Sequence, residues 1–228
     1  YSRIERFYAT NETIPVFRGF LHFLFSITIP LILYLYSSFF IGFWPLLIFI
    51  LGKFFCYFSS ALFHSGLIKS EHNHFCCLKM DKIGVLTSIT VTGIPFTIDI
   101  QNFLIFYLVN GIIVFLGVYS IIYDYEVNRK TIFAYHFVFN LMFIGINCYF
   151  NLLWIFGGFF YILSIIAFMP CMIENNNTNK AVEITLNVFW HKKGWYGCHE
   201  DFHFLLSIAD ILTFLNSYYY LKDLTITN

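Results

Sequence analysis

No Asp, Glu, Lys or Arg interrupts residues 131–173, which read TIFAYHFVFNLMFIGINCYFNLLWIFGGFFYILSIIAFMPCMI. A helix that crosses a bilayer needs roughly 20 apolar residues. The stretch is long enough for two such helices, and the Asn-containing segment 147–151 near its middle is typical of a tight hairpin. Apolar and polar residues do not alternate, so the pattern indicates membrane helices and not the strands of a barrel.

The rest of the chain continues this pattern. We predict further spans at Val16 to Ser38, Met80 to Ile98, Gln101 to Tyr123 and Trp195 to Leu221, and one that begins after Gly42, before Pro45, and runs to Ser65. The 228 residues are 59% hydrophobic and only 11% charged, whereas soluble domains carry roughly 25% charged residues. The sequence therefore predicts an all-α, multi-pass integral membrane protein. Residues 1–15 form an N-terminal segment, residues 16–221 a seven-helix membrane domain, and residues 222–228 a C-terminal tail.

The basic residues orient the predicted bundle. With seven spans, the N-terminus and the loops after spans two, four and six lie on one side of the membrane. The Lys and Arg residues on that side are Arg3, Arg6, Arg18, Lys69, Lys79, Lys82, Arg129, Lys130, Lys180, Lys192 and Lys193. The other side holds only Lys222. Because Lys and Arg concentrate in cytoplasmic loops, we expect a cytoplasmic N-terminus. The net charge of zero argues against a nucleic-acid partner.

Polar residues of three predicted spans meet in one layer near the cytoplasmic face. Span two ends there with Ser60 and His64, span three starts there with Asp81 in its first turn, and span seven starts there with His199 and His203. Residues four apart share one helix face, and three imidazoles with a water form a catalytic zinc site. We predict His64, His199 and His203 as Zn²⁺ ligands, and Asp81 as the carboxylate that orients the water and takes its proton. Ser60 would hydrogen-bond the water, a ligand or Asp81.

Structural roles compete for some of these residues. Ser60 is also suited to close helix packing, because small residues let membrane helices approach each other. At a helix N-terminus, Asp81 would interact favourably with the helix dipole, and the same holds for Glu200 and Asp201. Both interpretations stay open at this point.

Two further charges, Lys53 and Asp210, lie in the middle of predicted spans two and seven. A lone charge at that depth costs roughly a few kcal/mol. Counted from the histidine layer, their depths differ by about 6 Å at a rise of 1.5 Å per residue. A lysine side chain covers that distance, so we predict a buried Lys53–Asp210 pair; separate contacts with water are the alternative.

The spacing of these residues resembles the progestin and adipoQ receptor family, and its hemolysin III branch most of all. The segments that carry the resemblance are Ser60-Ala-Leu-Phe-His64, Asp81-Lys-Ile-Gly-Val85 with Pro95, His199-x3-His203, Pro15-x2-Arg18-Gly19-x2-His22, and Gly157-Gly158-x2-Tyr161 with Pro170. The resemblance implies a seven-helix fold, zinc on His64, His199 and His203, and Asp81 and Ser60 beside the metal-bound water. It also implies ceramidase-like cleavage of a lipid amide, with ceramide or fatty acid among the membrane-lipid partners.

Three other functions remain open. The name of the hemolysin III branch implies a cytolytic pore, and a structural zinc site would suit a membrane receptor. The sequence His199-Glu200-Asp201-Phe202-His203 also satisfies the H-E-x-x-H pattern, in which the Glu is the general base of a metalloprotease. Against a protease, the nearest downstream ligand is Asp210, which lies about 10 Å deeper along the helix.

The remaining histidines have no partner visible in the sequence. We expect His22 and His136 to pack between helices. We place His72 and His74 in the loop after span two, where a solvated loop is favoured over a second metal site.

Overall fold

A computed structural model describes residues 6–7, 13–14, 16–37, 44–96, 100–123, 129–147, 152–174 and 197–227. The helices of this part are α1 Val16–Ser37, α2 Trp44–His64, α3 Glu71–Gly93, α4 Ile100–Ile122, α5 Arg129–Asn147, α6 Leu152–Glu174 and α7 Cys198–Thr227. A 3-10 turn, Ile94–Phe96, extends α3. Two-residue strands, β1 Arg6–Phe7 and β2 Thr13–Ile14, form one antiparallel pair. The prediction of an all-α fold is confirmed.

Apolar helices dominate the described residues. Three of them are long and apolar enough to cross a membrane, namely Trp44–His64, Leu104–Ile122 and His199–Lys222. Shorter apolar segments lie in α1, α5 and α6, at His22–Leu35, Ala134–Ile144 and Leu152–Phe168. Large apolar side chains such as Leu108, Phe115 and Leu152 are exposed on the outer faces of these helices. Extensive exposed apolar surface is typical of contact with lipid or with another protein.

Helix α3 begins nine residues earlier than the sequence predicts, at Glu71 instead of Met80. Its first backbone bond joins the His74 N–H to the Ser70 carbonyl at 2.9 Å, and Glu71 lies where a negative charge favours the helix dipole. Hydropathy misses this part because residues 71–74 are all polar and Lys79 adds a charge. Asp81 therefore lies nearly three turns inside α3, and its predicted place in the first turn is wrong.

The same correction applies to the histidines assigned to the loop after span two. His72 and His74 belong to α3, and His74 is buried.

At the other end of the chain, α7 continues to Thr227, through most of the segment predicted as a tail. Much of the predicted N-terminal segment, the hairpin at residues 148–151 and the start of span seven at Trp195 lie outside the described residues.

Helices α1, α2 and α7 pack around one apolar cluster, to which Leu33, Leu46, Phe49, Phe214 and Leu221 contribute fully buried side chains. This cluster fixes the relative positions of the three helices that carry His22, His64, His199 and His203. A second cluster joins α3, the 3-10 turn, α4 and α5.

Helix α3 approaches α2 closely because of Gly84. A Cβ atom at that position would lie 3.1 Å from the Cα of Cys56 and 2.5 Å from the Oγ of Ser59. Small residues allow such an approach between helix backbones. The contact brings Asp81, one turn before Gly84, to the face of α2 that carries Ser60.

The Lys53 ammonium group is fully buried between three helices. It lies 2.7 Å from Oδ1 of Asp210 on α7. It also donates hydrogen bonds of 2.9 Å to the hydroxyl groups of Ser88 and Thr92 on α3. All three donors of the ammonium group are thus used, and the predicted Lys53–Asp210 pair is confirmed.

Two tyrosines complete the surroundings of the Asp210 carboxylate. Tyr57 on α2 donates a hydrogen bond of 2.7 Å to Oδ2, and Tyr161 on α6 donates one of 2.6 Å to Oδ1. Both carboxylate oxygens are therefore satisfied, as burial of a charge requires. The pair and its hydroxyl partners join α2, α3, α6 and α7 below the layer of histidines.

Breaking this pair should destabilise the protein strongly. Removing one partner of a buried ion pair typically costs about 3–5 kcal/mol, so we expect Lys53→Met and Asp210→Leu each to lower the free energy of unfolding by that order. The double variant should lose clearly less than the sum, because neither charge is left alone. A double-mutant cycle on unfolding in detergent measures this coupling.

Lys69→Met, at an exposed lysine, is the control and should change the free energy of unfolding by less than about 0.5 kcal/mol. Strictly additive losses in the double variant would contradict a direct Lys53–Asp210 interaction.

Candidate metal centre

Four histidines from three helices meet at one end of the bundle. His22 lies in the second turn of α1, His64 is the last residue of α2, and His199 and His203 lie in the first two turns of α7. The ring centroid of His22 is 4.1 Å from that of His203, 4.6 Å from that of His64 and 5.4 Å from that of His199. The rings of His64 and His199 are 4.8 Å apart, as are those of His199 and His203.

The spacing of the ring nitrogens suits one metal ion. One nitrogen each of His22, His64 and His199 lies within 4.8 Å of the others. The Nε2 atoms of His199 and His203 are 3.2 Å apart. Around a tetrahedral zinc ion with bonds of about 2.0–2.1 Å, ligand nitrogens are separated by about 3.3–3.4 Å. The His199–His203 spacing of 3.2 Å is close to this value, whereas the nitrogens of His22, His64 and His199 are spread over up to 4.8 Å.

His22 presents a free lone pair to the cluster. Its Nδ1 is hydrogen-bonded to the backbone carbonyl of Arg18, which assigns the ring proton to Nδ1. The other nitrogen, Nε2, is buried and has no hydrogen-bond partner within the described residues. A histidine held in this way by a backbone carbonyl is the usual arrangement of a metal ligand.

Burial makes the cluster costly unless an ion is bound. His22, His64 and His203 are buried, and His199 is half-buried. Nδ1 of His203 also lacks a partner within the described part of the chain. A buried polar atom without a partner costs roughly 1–3 kcal/mol. Neutral imidazoles are ligands of zinc, copper, iron and nickel, so the donor set fits a transition-metal ion.

The three histidines whose nitrogens are spaced for a metal ion differ in one residue from the predicted ligand set. The sequence predicted His64, His199 and His203, whereas the atoms with mutual metal-binding distances belong to His22, His64 and His199. His203 lies beside them, in contact with both His22 and His199. The expectation that His22 only packs between helices is therefore corrected. Span one begins at the layer where span two ends, so the topology already placed His22 near this depth.

His136 lies outside this cluster and packs between other helices, although its Nδ1 is also buried without a partner in the described residues. Its Nε2 lies 2.8 Å from Oδ1 of Asn110 on α4 and 3.0 Å from the hydroxyl group of Thr90 on α3. It is as completely buried as His22 but belongs to a different polar cluster, between α3, α4 and α5. It therefore provides a matched control for substitutions in the metal centre.

Ser60 on α2 and Asp81 on α3 lie close to each other. The buried Ser60 hydroxyl lies within hydrogen-bonding reach of the half-buried Asp81 carboxylate. Ser60 is one helical turn before His64, so both residues share a face of α2. The structure thus brings the two predicted catalytic residues into contact, although Asp81 comes from the middle of α3 and not from its first turn.

Glu200 has a structural role in the described part of the chain. Its Oε1 accepts a hydrogen bond of 2.9 Å from Nε of Arg18 on α1. Its Oε2 accepts one of 2.8 Å from the Gly197 N–H at the start of α7. The carboxylate is fully buried with both oxygens used. This arrangement caps α7 and ties it to α1, and it weakens the metalloprotease interpretation, in which Glu200 would be the general base.

No known protein-family model matches the chain, and no curated protein matches it either. The resemblance to the progestin and adipoQ receptor family stays a prediction that rests on the order and spacing of residues in this chain. The observed contacts around the histidines are independent of that resemblance.

Metal analysis tests the centre directly. Purified wild-type protein should contain about one transition-metal ion per chain, because the donor geometry describes one site. His64→Ala and His199→Ala should reduce the metal content to background, since each removes a ligand from a different helix. Inductively coupled plasma mass spectrometry of detergent-purified protein measures this content.

His136→Ala removes a buried histidine outside the centre and should retain the metal. Equal metal content in wild-type protein and His64→Ala would contradict the site.

Proposed function

We propose that this chain is a seven-span membrane protein related to the hemolysin III branch of the progestin and adipoQ receptor family, and that it is a zinc-dependent hydrolase of membrane lipids. The observation that carries the proposal is the cluster of four imidazoles, in which Ser60 lies one helical turn before His64 and within reach of Asp81. A buried set of metal ligands is typical of metal-assisted hydrolysis when a carboxylate can reach the bound water, and we propose Asp81 for that role.

The lengths of the helices support seven spans. The shortest, α5, has 19 residues and the longest, α7, has 30. At a rise of 1.5 Å per residue, 19 residues cover about 28 Å, close to the roughly 30 Å thickness of the hydrocarbon core. The excess of Lys and Arg in the loops after spans two, four and six supports a cytoplasmic N-terminus. The metal centre then lies near the cytoplasmic leaflet.

Zinc is the metal that we propose for the centre. It accepts imidazole nitrogens in tetrahedral geometry, needs no redox partner and requires no sulfur ligand. When bound, it would lower the pKa of a coordinated water and polarise a substrate carbonyl. His64, His199 and His203 remain the proposed ligands from the sequence, and the position of His22 adds a further imidazole to them.

Asp81 and Ser60 supply the proton chemistry. The Asp81 carboxylate would take a proton from the attacking water and return it to the leaving amine or alcohol of the lipid. Ser60, which lies within hydrogen-bonding reach of Asp81, would hold the carboxylate at the face of α2 that carries His64. The exposed apolar faces of the helices let an acyl chain approach from the bilayer. A lipid amide such as ceramide, with a fatty acid as product, is the substrate class that the family resemblance favours.

A receptor with a structural zinc site is the second candidate, and one observation favours it. Structural zinc sites usually have four protein ligands and no water, and a fourth imidazole, His22, lies within this cluster. A cytolytic pore has less support. The interior between α2, α3, α6 and α7 is filled by the Lys53–Asp210 pair and its hydroxyl partners, which hydrogen-bond to each other.

Substitution of Asp81 separates these functions. In detergent or liposomes, wild-type protein should release fatty acid from a panel of lipid amides and esters. Asp81→Asn should lower the turnover by roughly 10²-fold or more, because a general base contributes about that much. Its zinc content should not change, because Asp81 is not a proposed ligand. Mass spectrometry of the lipids and metal analysis of the same sample measure both quantities.

Asp201→Asn changes a nearby carboxylate on α7 and should leave turnover within a few-fold of wild type. Turnover that survives Asp81→Asn would contradict the proposed proton transfer. Ion flux through liposomes, without lipid turnover and independent of Asp81, would support a pore.

A further inference from the structure

We infer that Arg18 binds the anionic head group of a membrane lipid beside the candidate metal centre. This inference rests on the proposed function for the membrane and for the lipid substrate. It deepens that function by naming the class of lipid, which carries a phosphate or a carboxylate in its head group.

The guanidinium group of Arg18 is fixed in place through one of its five N–H donors. Its Nε donates a hydrogen bond of 2.9 Å to Oε1 of Glu200 on α7. Oε2 of the same carboxylate accepts the Gly197 N–H, so Glu200 is also anchored independently of Arg18. A guanidinium carries four further N–H donors on its two Nη atoms. Within the described residues these atoms have no hydrogen-bond partner, which leaves them available to a ligand.

The two partners of this ion pair differ in exposure. The Glu200 side chain is 0% exposed and both its oxygens accept hydrogen bonds, whereas the Arg18 side chain is 22% exposed. A ligand that approaches the pair therefore contacts the guanidinium and not the carboxylate. The planar edge formed by the two Nη atoms suits two oxygens of one phosphate or carboxylate, which arginine binds in bidentate geometry.

Lys53 shows how a cation with a purely structural role is treated in the same bundle. It is fully buried, and it gives all three of its donors to Asp210, Ser88 and Thr92. Arg18 gives one donor of five to a protein group and stays partly exposed. This difference indicates that Arg18 has a binding role in addition to joining α1 to α7.

Arg18 lies in the layer of the four histidines. It precedes His22 by one turn of α1, and its carbonyl accepts the hydrogen bond of the His22 ring. Its partner Glu200 directly follows His199 in the chain. The Arg18 charge is close enough to act on each of the four imidazoles. A head group held by Arg18 is thus next to the candidate metal centre.

The expected leaflet supplies ligands of this kind. With the N-terminus in the cytoplasm, this layer lies near the cytoplasmic leaflet, which is rich in anionic lipids. A neutral head group offers the guanidinium no charged oxygen and forms only the weaker hydrogen bonds of neutral acceptors. Among lipid amides and esters, those with a phosphate or a carboxylate in the head group are therefore the preferred substrates.

Arginine footprinting tests this inference without measuring catalysis. The full-length protein is placed in nanodiscs of phosphatidylcholine with or without added phosphatidic acid, and modification of Arg18 by phenylglyoxal is followed by peptide mass spectrometry. We expect phosphatidic acid to slow the modification roughly tenfold, because a guanidinium engaged by a phosphate does not react. Inorganic phosphate added to phosphatidylcholine discs should leave the modification rate unchanged. Equal rates in the two kinds of disc overturn the inference, and so does equal protection by inorganic phosphate.

Substitutions assign the effect to this residue. Arg18→Gln should abolish the preference for phosphatidic acid over phosphatidylcholine among the lipids that native mass spectrometry finds bound to the protein. Lys69→Gln removes one positive charge from an exposed lysine and should keep the preference. A preference that survives Arg18→Gln overturns the inference. If Arg18→Gln does not fold, the footprint of the wild-type protein decides the matter alone.

Failure of the inference and failure of the proposed function are distinguishable. The head group is held by the guanidinium, so protection of Arg18 should persist in protein stripped of metal. Protection in a protein that neither binds metal nor turns over lipid supports the head-group site and contradicts the proposed hydrolase. Metal binding and lipid turnover without protection of Arg18 overturn the head-group site alone.

Discussion

Four imidazoles meet inside an apolar helical bundle, and each of their buried nitrogens needs a proton, a hydrogen-bond partner or a metal ion. The backbone of α1 satisfies Nδ1 of His22, but Nε2 of His22 and Nδ1 of His203 have no partner in the described residues. A polar atom left in this state costs stability. A metal ion bound there would satisfy the donors that converge on it and would crosslink α1, α2 and α7 at the end of the bundle where the histidines meet.

Two buried ion pairs hold the helices around that centre. Arg18 and Glu200 join α1 to the first turn of α7, directly beside the histidines. Lys53 and Asp210 join α2 to α7 deeper in the bundle. Charges at such positions persist only when they are paired and hydrogen-bonded, so both pairs restrict how the helices rotate and slide. The candidate metal centre is therefore held in place by charge as well as by packing.

The depth of a residue in the membrane could be predicted from the sequence. Apolar runs show where each span begins, and the order of the spans shows which residues share a layer. That reasoning brought His64 and His203 to one layer and paired Lys53 with Asp210. Rotation about each helix axis could not be predicted in the same way. His22 was missed because a single histidine on an apolar helix has no neighbour four residues away to mark the face it presents. The start of α3 was missed because its first turns are polar, which placed Asp81 too near a helix end.

Anomalous X-ray diffraction at the zinc absorption edge, from crystals of the wild-type protein, tests the central claim most directly. We expect a single strong peak per chain between the N-terminal turns of α1 and α7 and the last turn of α2, within bonding distance of the His64 and His199 rings. The absence of a peak there, with these rings separated and turned toward the acyl chains, would contradict a metal centre built by the three helices.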